Sequence, residues 1–235
     1  MLKPLLLGLT ITSLFSITTN AQSVVESQEV AEGISKKKPY ITSNIDGYIF
    51  STALINDNGV SSLGTLRFTA FFNFGANLNY DFSKSLGIYT GLNVKNIGFI
   101  EKFEATGVTE KHRVYTIGVP LGLKIGNLSK KQYFMIGGGV DFPFNYKNKR
   151  YVAKKDKVKY NEWFGDRVNP IMPYVFVGAR FKPGISIKAQ YYPTNFFNQD
   201  YQYFNGANFV NIYENKEVNL LLFTLGFDIN YSSRF

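Results

Sequence analysis

The chain has 235 residues and a formal net charge of +9 at pH 7, with no cysteine and a single histidine, His112. The lack of cysteine excludes disulfides and thiolate metal or redox sites, and a single histidine excludes most transition-metal centres and most nucleophile–histidine catalysis. Aromatic residues make up 17% of the sequence, and the strand patterns below place them mainly on one face.

The first residues have the layout of a secretory signal peptide. Lys3 precedes an apolar run from Pro4 to about Thr18, and small residues surround Ala21. Because this run is shorter than the roughly 20 residues of a membrane-spanning helix, a cleaved signal over residues 1–22 is favoured over an anchor. The chain is therefore predicted to be exported.

Two further regions follow the predicted signal. Residues 23–38 are predicted to form a short periplasmic linker, and residues 39–235 a single folded domain. Loss of Lys3 with the signal would lower the net charge from +9 to +8. An exported chain does not meet the chromosome, so its basicity indicates phosphorylated lipid or acidic glycan, and no nucleic acid, as the partner.

The segment 65–82 alternates with a period of two. Its even positions from Leu66 to Phe82 are all apolar or aromatic, whereas its odd positions are mostly polar. This period is typical of an extended strand with one apolar and one polar face. The segment is far longer than the usual strand of about five or six residues in a globular sheet. Its apolar face therefore needs an unusually long apolar environment to shield it from water.

The same alternation recurs along the chain and predicts eight strands in all. A less regular strand at 40–54 comes first, and six regular strands follow segment 65–82, at 86–100, 112–126, 132–146, 171–181, 185–191 and 221–231.

The connections between these strands alternate in length. Three are short, at 83–85, 127–131 and 182–184, and four are long, at 56–64, 101–111, 147–170 and 195–216. Short turns on one rim, long connections on the other and an even strand count are typical of outer-membrane barrels, whose chain ends lie on the short-turn, periplasmic side.

Side-chain volume decides which face of the strands lies inside. Bulky residues crowd the apolar face, and an eight-stranded barrel could not hold them all. The polar face is rich in glycine, including Gly118, Gly122 and Gly137, and therefore fits a narrow interior. In contrast to a soluble lipocalin-like barrel, the apolar face is predicted to point outward into lipid. The predicted fold is all-β, an eight-stranded antiparallel up-and-down transmembrane β-barrel.

The interior of this barrel is predicted to hold charges of nearly balanced sign. A charge buried without a partner costs several kcal/mol, so interior charges have to pair. Since an eight-stranded barrel is just wide enough for its side chains to fill, we predict a plugged barrel and no open pore. The predicted lumen charge network consists of Arg67, Lys95, Lys124, Arg180 and Lys188 with Asp46, Asp81, Asp141 and Asp228.

The final residues, FDINYSSRF, place aromatic and apolar side chains on one parity and end on Phe235. This ending resembles the C-terminal signal by which outer-membrane barrels are recognised for insertion. The resemblance implies that the barrel-insertion machinery is a partner of the Phe235 end.

The chain as a whole resembles a family, the small outer-membrane β-barrel domain proteins of Gram-negative bacteria known as porin-family or PorT-like. The resemblance is carried by YTIGVPLGLKIG (115–126), YFMIGGGVDFPFNY (133–146), PYVFVGARFKPGISIKAQYY (173–192) and the Phe235 end. It implies an outer-membrane location, outer-membrane lipid as a partner, and neither a catalytic signature nor a cofactor. The PorT-like branch is associated with a protein-secretion system, which adds a secretion-system or surface partner.

A basic run lies within the long connection 147–170. Residues 147–160 contain seven basic residues and one acidic residue, Asp156, and therefore have a net charge of +6. Such a run predicts contact with lipopolysaccharide phosphates or an acidic polymer through charge-assisted hydrogen bonds, and the alternative is a merely solvated loop. The basic residues are Lys147, Lys149, Arg150, Lys154, Lys155, Lys157 and Lys159.

Two other features support functional hypotheses. Segment 191–213 is rich in Tyr, Phe and Asn and could stack on sugars or dock a partner. The alternative is that it extends the strands above the membrane, with its aromatic side chains packed on one another. His112, beside Glu110, could serve a lipid A-modifying enzyme if Ser61 or Ser62 came within hydrogen-bond reach; the alternative is a solvated histidine at the rim.

The sequence thus favours a non-enzymatic outer-membrane barrel with a structural or surface-interaction role, a plugged lumen and long extracellular loops. The alternatives are an assembly factor of a secretion system, a lipid A-modifying enzyme centred on His112, and a small diffusion channel. No cofactor, metal site or catalytic residue is predicted.

Overall fold

The computed structural model of the chain describes residues 38–70, 73–152 and 156–227. The predicted signal peptide, nearly all of the predicted linker and the C-terminal residues from Asp228 to Phe235 lie outside these ranges, as do Lys154 and Lys155. The described residues all fall in the unit Lys37–Phe235. Within them, no helix is long and apolar enough to cross a membrane.

The described residues confirm the predicted all-β class, and the main sheet is antiparallel throughout. In chain order the strands are β1 (Tyr40–Ile45), β2 (Tyr48–Asp57), β3 (Val60–Leu63), β4 (Arg67–Ala70), β5 (Asn73–Asp81), β6 (Leu86–Phe103), β7 (Val108–Asn127), β8 (Gln132–Val152), β9 (Asp156–Trp163), β10 (Met172–Phe181), β11 (Ile185–Tyr191), β12 (Gln202–Phe204), β13 (Phe209–Asn211) and β14 (Lys216–Phe227).

The order of strands in the main sheet follows the chain. From β5 through β6, β7, β8, β10 and β11 to β14, each strand pairs with the next, while β9 adds to β8 and the β12–β13 hairpin forms a separate two-stranded sheet. β14 pairs with β2, where Leu222 lies opposite Ser51. In addition, β1 pairs with β5. β2 also pairs with β4, and in that pair Phe50 lies opposite Phe68. The strands at the start of the chain therefore have both the last strand and the following strands as neighbours.

The first predicted strand is interrupted at Asp46 and Gly47, which separate β1 from β2. Asn44 is buried in β1, whereas Ile49 and Ser51 are buried in β2. The buried side thus changes from even to odd positions across the interruption. This change of parity explains why residues 40–54 alternate less regularly than the other strands.

Large apolar side chains cover the exposed side of the sheet, as the volume argument predicts. Phe68, Leu121 and Phe134 are 56%, 62% and 70% exposed. Polar residues between such positions, including Arg67 and Lys124, are buried. We call this exposed surface the apolar band. Its other members include Phe74, Leu78, Leu86, Leu92, Ile117, Leu123, Ile125, Ile136, Val175, Val177, Ile187 and Phe223.

The two ends of the sheet differ in their connections. At one end, which we call the turn end, residues 82–85, 128–131 and 182–184 join consecutive strands, as predicted. At the opposite end, the loop end, the chain between β9 and β10 and between β11 and β14 forms the longer connections.

Two connections predicted to be long are instead tight turns at the loop end. β6 ends at Phe103 and β7 begins at Val108, so the loop predicted at 101–111 is wrong. The loop predicted at 56–64 is also wrong, because Asn58 and Gly59 join β2 to β3 with φ angles of 51° and 83°. Positive φ at two central residues matches the twist of a hairpin. The described part of the basic run, likewise, lies in β8 and β9, which pair with each other and do not form a loop.

Near the loop end, the two sides of β6, β7 and β8 exchange their chemical character. The buried side there carries apolar and aromatic residues such as Phe99, Val114 and Tyr146. The opposite side carries cations, including Lys111 and Lys149, which lie opposite each other in the ladder. The period of two therefore continues past the predicted strand ends, but with the polar residues now on the exposed side.

Candidate functional site

Three lysine–aspartate ion pairs of the predicted charge network lie on the buried side of the sheet. Lys95 Nζ is 2.8 Å from Asp141 Oδ2, and Lys124 Nζ is 2.6 Å from Asp81 Oδ1. The third pair joins Lys188 to Asp46, again at 2.8 Å. The first two pairs each join two different strands, and the third joins β11 to the interruption between β1 and β2, so these charges hold the sheet together across its buried side.

The Lys95–Asp141 pair also holds the segment that follows β11. The hydroxyl of Tyr192 donates a hydrogen bond to Asp141 Oδ2 at 2.6 Å and accepts one from Lys95 Nζ at 3.2 Å. Lys95 Nζ lies 3.9 Å from the centre of the Tyr174 ring as well. A charge with this many partners at close range is compensated despite its burial.

The other residues of the predicted charge network have different partners. Arg67 donates to the side-chain oxygen and the carbonyl of Asn96 and forms no ion pair within the described residues. Arg180 donates to the Tyr133 hydroxyl at 3.3 Å. Asp228 lies outside the described residues. The sequence did not reveal the role of Tyr40, whose hydroxyl lies between Lys124 and Asp81 at 2.9 and 2.8 Å.

A cluster of rings fills the buried side at the loop end. We call Tyr192, Phe196, Phe197, Tyr201 and Tyr213 the aromatic plug; all belong to the connection between β11 and β14, and all are buried. The Phe197 and Tyr213 rings stack at 4.0 Å between centroids, with an interplanar angle of 5°. The rings of this segment pack on one another, as the alternative predicted. The predicted strand extension over 191–213 is wrong for this part of the segment, because its rings turn inward.

The rest of the same connection projects outward as the β12–β13 hairpin. Tyr203, Phe204 and Phe209 in this hairpin are 49%, 52% and 69% exposed. It carries no charged residue between Tyr201 and Tyr213. This hairpin therefore presents exposed aromatic side chains at the loop end.

Arg167 ties the aromatic plug to the connection after β9. Its guanidinium donates to the hydroxyls of Tyr201 and Tyr213 at 2.8 and 3.1 Å and lies 4.5 Å from the centre of the Tyr160 ring. Burial by itself would lower the pKa of Arg167. The hydrogen bond and charge interaction with Tyr213, together with the interactions with Tyr160 and Tyr201, outweigh burial, so the pKa of Arg167 is raised. Arg167 therefore stays charged and anchors both connections.

His112 is a packed residue of the buried side, not a solvated one. It is 3% exposed and stacks on Phe99 at 4.8 Å. Its Nδ1 lies 2.8 Å from the Tyr146 hydroxyl oxygen and 3.0 Å from Asn148 Nδ2. The prediction of a solvated rim histidine is therefore wrong, because the aromatic plug and Phe99 cover the ring.

The carboxylates near His112 define its electrostatic setting. His112 Nε2 lies 3.3 Å from Glu110 Oε2 and 3.8 Å from Glu101 Oε2, and the interaction with His112 lowers the pKa of Glu110. Glu101 is held by Lys216 through two contacts of 2.8 Å. Within the described ranges, no group of three or more acidic, histidine or cysteine side chains could hold a metal ion.

The two serines of the catalytic hypothesis lie elsewhere. Ser61 and Ser62 pair with Asn56 and Ile55 in the β2–β3 hairpin and are exposed. No contact between either serine and His112 occurs among the described residues, whereas the hypothesis requires hydrogen-bond reach. The arrangement does not assemble a nucleophile with a base.

The basic run is divided between the two sides of the β8–β9 hairpin. Lys147, Lys149, Lys157 and Lys159 lie on the side that continues the apolar band, whereas Arg150 faces the other side, with its Nε 3.4 Å from Glu110 Oε1. The predicted contact residues Lys154 and Lys155 lie outside the described residues.

Three further cations share that side and were missed by the sequence analysis. Lys102, Lys111 and Arg113 belong to β6 and β7, and pairing places them in line with the lysines of β8 and β9. Lys102 and Lys111 were missed because residues 101–111 were assigned to a loop, and Arg113 because it stands at the very start of the strand predicted at 112–126. Their spacing at alternate positions of a strand is the signal that could have revealed them.

No protein-family model matches the chain, and no curated protein matches it. Among solved structures, the chain is similar to Ail, the attachment invasion locus protein of Yersinia pestis, with 14% identity, 83% of this chain and 100% of that chain covered, and a TM-score of 0.33.

Two other solved structures show a comparable similarity. Neisserial surface protein A is 11% identical, with 82% of this chain and 97% of that chain covered and a TM-score of 0.38. CarO of Acinetobacter baumannii is 12% identical, with 78% and 97% covered and a TM-score of 0.34. Similarity this weak is not evidence of a shared activity.

Proposed function

We propose that this chain is a non-enzymatic β-barrel protein of the Gram-negative outer membrane, with a filled interior and a loop end that meets molecules outside the cell. The observation that carries the proposal is the exchange of character along β6, β7 and β8. An apolar exposed side over a polar buried side suits hydrocarbon, and the reverse order beyond it suits water.

The height of the apolar band supports a membrane location. On β7 the band extends from Tyr115 to Ile125, ten residues further along the strand. That distance corresponds to about 34 Å along a strand and, at the tilt of about 40° typical of such barrels, to about 26 Å of height. The hydrophobic band of outer-membrane barrels is about 25 Å tall.

The strand pairing supports a closed barrel of eight staves. Here a stave is one strand of the barrel wall: β1–β2 forms one stave and β3–β5 a second, and the other six are β6, β7, β8, β10, β11 and β14. Each stave pairs with the next, and β14 pairs with β2. Closure leaves no unpaired strand edge in the hydrocarbon layer, where each unpaired backbone group would cost several kcal/mol.

A soluble secreted protein is the main competing interpretation. Such a protein rarely exposes a contiguous apolar patch larger than a few hundred Å², whereas Leu121, Phe134 and many other large apolar residues are exposed here. The turn end would lie in the periplasm and the loop end outside the cell, as in barrels with short periplasmic turns.

Fractionation and electrophoresis test the membrane proposal. The full chain, expressed in a Gram-negative host, should be recovered in the outer-membrane fraction and require detergent for extraction. Unheated samples should migrate differently from heated ones, because a closed barrel resists unfolding by detergent at room temperature. Recovery of a folded, exported protein without detergent would contradict the proposal.

Conductance tests the filled interior separately. We expect no steady current when the protein is inserted in a planar bilayer, since the Lys95–Asp141–Tyr192 contacts and the aromatic plug occupy the buried side. A stable open channel would contradict the filled interior while leaving the membrane location intact.

The exposed β12–β13 hairpin favours a surface-interaction role. Its exposed aromatic side chains offer flat contact area on an otherwise uncharged segment, a composition suited to partner or glycan binding. A part in the assembly of a secretion system stays a prediction from the family resemblance. Co-purification of other membrane proteins after mild detergent extraction, compared between the natural chain and Phe204→Ala/Phe209→Ala, tests the hairpin as a contact surface.

A further inference from the structure

Cations on four neighbouring strands lie on the same side of the sheet, next to the apolar band. Residues directly opposite each other in antiparallel strands project to the same side. In two rows of paired residues the cations are direct neighbours: one row contains Arg113 and Lys147, and the next contains Lys111, Lys149 and Lys159. A third row has Lys102 at one end and Lys157 at the other, with Thr109 and Tyr151 between these two lysines. We call these seven cations the cationic face.

Three carboxylates of the same strands, Glu101, Glu110 and Glu162, have their partners on the opposite side. Glu110 contacts His112 and Arg150, Glu101 contacts Lys216, and Glu162 is 3.7 Å from Arg167. Among the described side chains, none of these carboxylates reaches the cationic face. In the part of the chain that the structure describes, no ion pair joins a carboxylate to a cation of this face.

The cations repel one another. The charge of Arg113 is the main cause of a lowered pKa at Lys149, with burial and then Lys157 adding to it. The buried Nε of Arg113 has no hydrogen-bond partner within the described ranges. Uncompensated positive charge of this density favours the binding of an anion.

The position of the cationic face selects the kind of anion. Tyr115, Phe144 and Trp163 form a row of rings below it, with centroid distances of 6.3 and 6.0 Å, and Lys147 Nζ lies 5.1 Å from the centre of the Tyr115 ring. Aromatic rows of this kind mark the membrane–water interface. Arg113 is two residues from Tyr115, or about 7 Å along a strand, which is the level of lipid headgroups.

We propose that the cationic face binds a lipid headgroup that carries two or more phosphate groups, in the leaflet that surrounds the loop end of the barrel. Neighbouring cations are about 5 Å apart across strands and about 7 Å apart along them, so one phosphate contacts two or three cations and a second phosphate is needed to cover the rest. This inference rests on the proposed membrane location, because only a lipid is held at the level of the aromatic row.

The experiment compares two triple variants of the full chain in nanodiscs. The discs consist of zwitterionic phospholipid with a small fraction of bis-phosphorylated lipid A, and native mass spectrometry counts the lipid A molecules that stay bound after ejection from the disc. The test variant is Lys111→Gln/Lys149→Gln/Lys159→Gln. The matched control is Lys84→Gln/Lys130→Gln/Lys131→Gln, which removes the same charge from exposed positions at the turn end.

We expect the natural chain and the control variant to retain lipid A, and the test variant to retain at least about tenfold less, since charge-assisted phosphate contacts are lost. Mono-phosphorylated lipid A should be retained less well than the bis-phosphorylated form. Equal losses in the two variants would show non-specific attraction and overturn the proposal. Full displacement of the lipid by inorganic pyrophosphate would also overturn it, because the face would then bind phosphate without the lipid.

A separate measurement keeps this inference distinct from the proposed function. Each variant is first checked for heat-modifiable migration and for retention in the disc. If the natural chain fails both checks, the membrane location itself is wrong. If the chain passes them but retains no phosphorylated lipid, only the cationic face is wrongly assigned.

Discussion

Lys95 and Asp141 form an ion pair of 2.8 Å with side chains that are 1% and 0% exposed. Tyr192 closes the group by bonding both residues. The pair joins β6 to β8 on the buried side of the sheet and fixes the start of the connection that supplies the aromatic plug. The buried ion pair and the aromatic plug are therefore parts of one structure.

Removing one member of this pair should destabilise the protein strongly. Lys95→Met leaves the Asp141 carboxylate buried without its cation, which costs about 3–5 kcal/mol in the free energy of unfolding. The double variant Lys95→Met/Asp141→Leu should be more stable than Lys95→Met alone. Urea unfolding in lipid vesicles measures both, with Lys130→Met as the exposed control, expected within about 0.5 kcal/mol of the natural chain. Equal stability of the Lys95 and Lys130 variants would show that the ion pair does not contribute to the free energy of unfolding.

The aromatic plug should contribute through packing. Phe197→Ala removes a ring that is 1% exposed and stacked on Tyr213, which should lower the free energy of unfolding by about 3–5 kcal/mol. The control is Phe209→Ala, at a position that is 69% exposed, with an expected change within about 0.5 kcal/mol. Limited proteolysis should cleave the connection between β11 and β14 faster in Phe197→Ala. Cleavage at the natural rate would indicate that the plug is held by Arg167 and Tyr192 alone.

The sequence was sufficient to predict those strands and parts of strands in which apolar and polar residues alternate throughout. In β4–β5 and in the turn-end part of β7, apolar residues alternate with polar ones, and the structure exposes Phe68 and Leu121 while burying Arg67 and Lys124. Period two predicts strands, and side-chain volume predicts the facing. Neither argument needs to know which strands are neighbours.

The rest depends on contacts between distant parts of the chain. Beyond the apolar band the alternation continues with its polarity reversed, so Lys111 and Lys149 were assigned to loops although they are paired in a ladder. Phe196 and Phe197 turn inward because Phe99 and His112 offer a partner surface. No local pattern predicts such an insertion, since it is decided by the shape of the space that the strands leave.

Stability should depend on acidic pH through Glu110. Interaction with His112 lowers the folded-state pKa of this carboxyl below its ordinary value of 4.5. A carboxyl with a lowered pKa contributes stability above its unfolded-state pKa, and loses that contribution as pH falls through the lower, folded-state pKa. Glu110→Gln should therefore make the unfolding midpoint less sensitive to pH below about pH 4.5.

The measurement for Glu110 is the thermal unfolding midpoint in detergent as a function of pH, for the natural chain, Glu110→Gln and the exposed control Glu214→Gln. The control should keep the acid sensitivity of the natural chain. An unchanged pH profile in Glu110→Gln would mean that the contact with His112 does not bear on stability.

The cationic face should lower the stability of the lipid-free protein. Lys149 is charged at neutral pH and is repelled mainly by Arg113, which lowers its pKa. A lysine whose folded-state pKa is lowered destabilises the fold at pH values below that pKa, and the cost disappears only as pH rises past it. In a neutral detergent without phosphorylated lipid, Lys149→Gln should therefore raise the unfolding midpoint, whereas Lys130→Gln should leave it unchanged. The gain should shrink as salt is added, because about 0.15 M salt screens charges beyond about 8 Å; a lower midpoint in Lys149→Gln would instead mean that its aliphatic stem stabilises the hairpin more than its charge destabilises it.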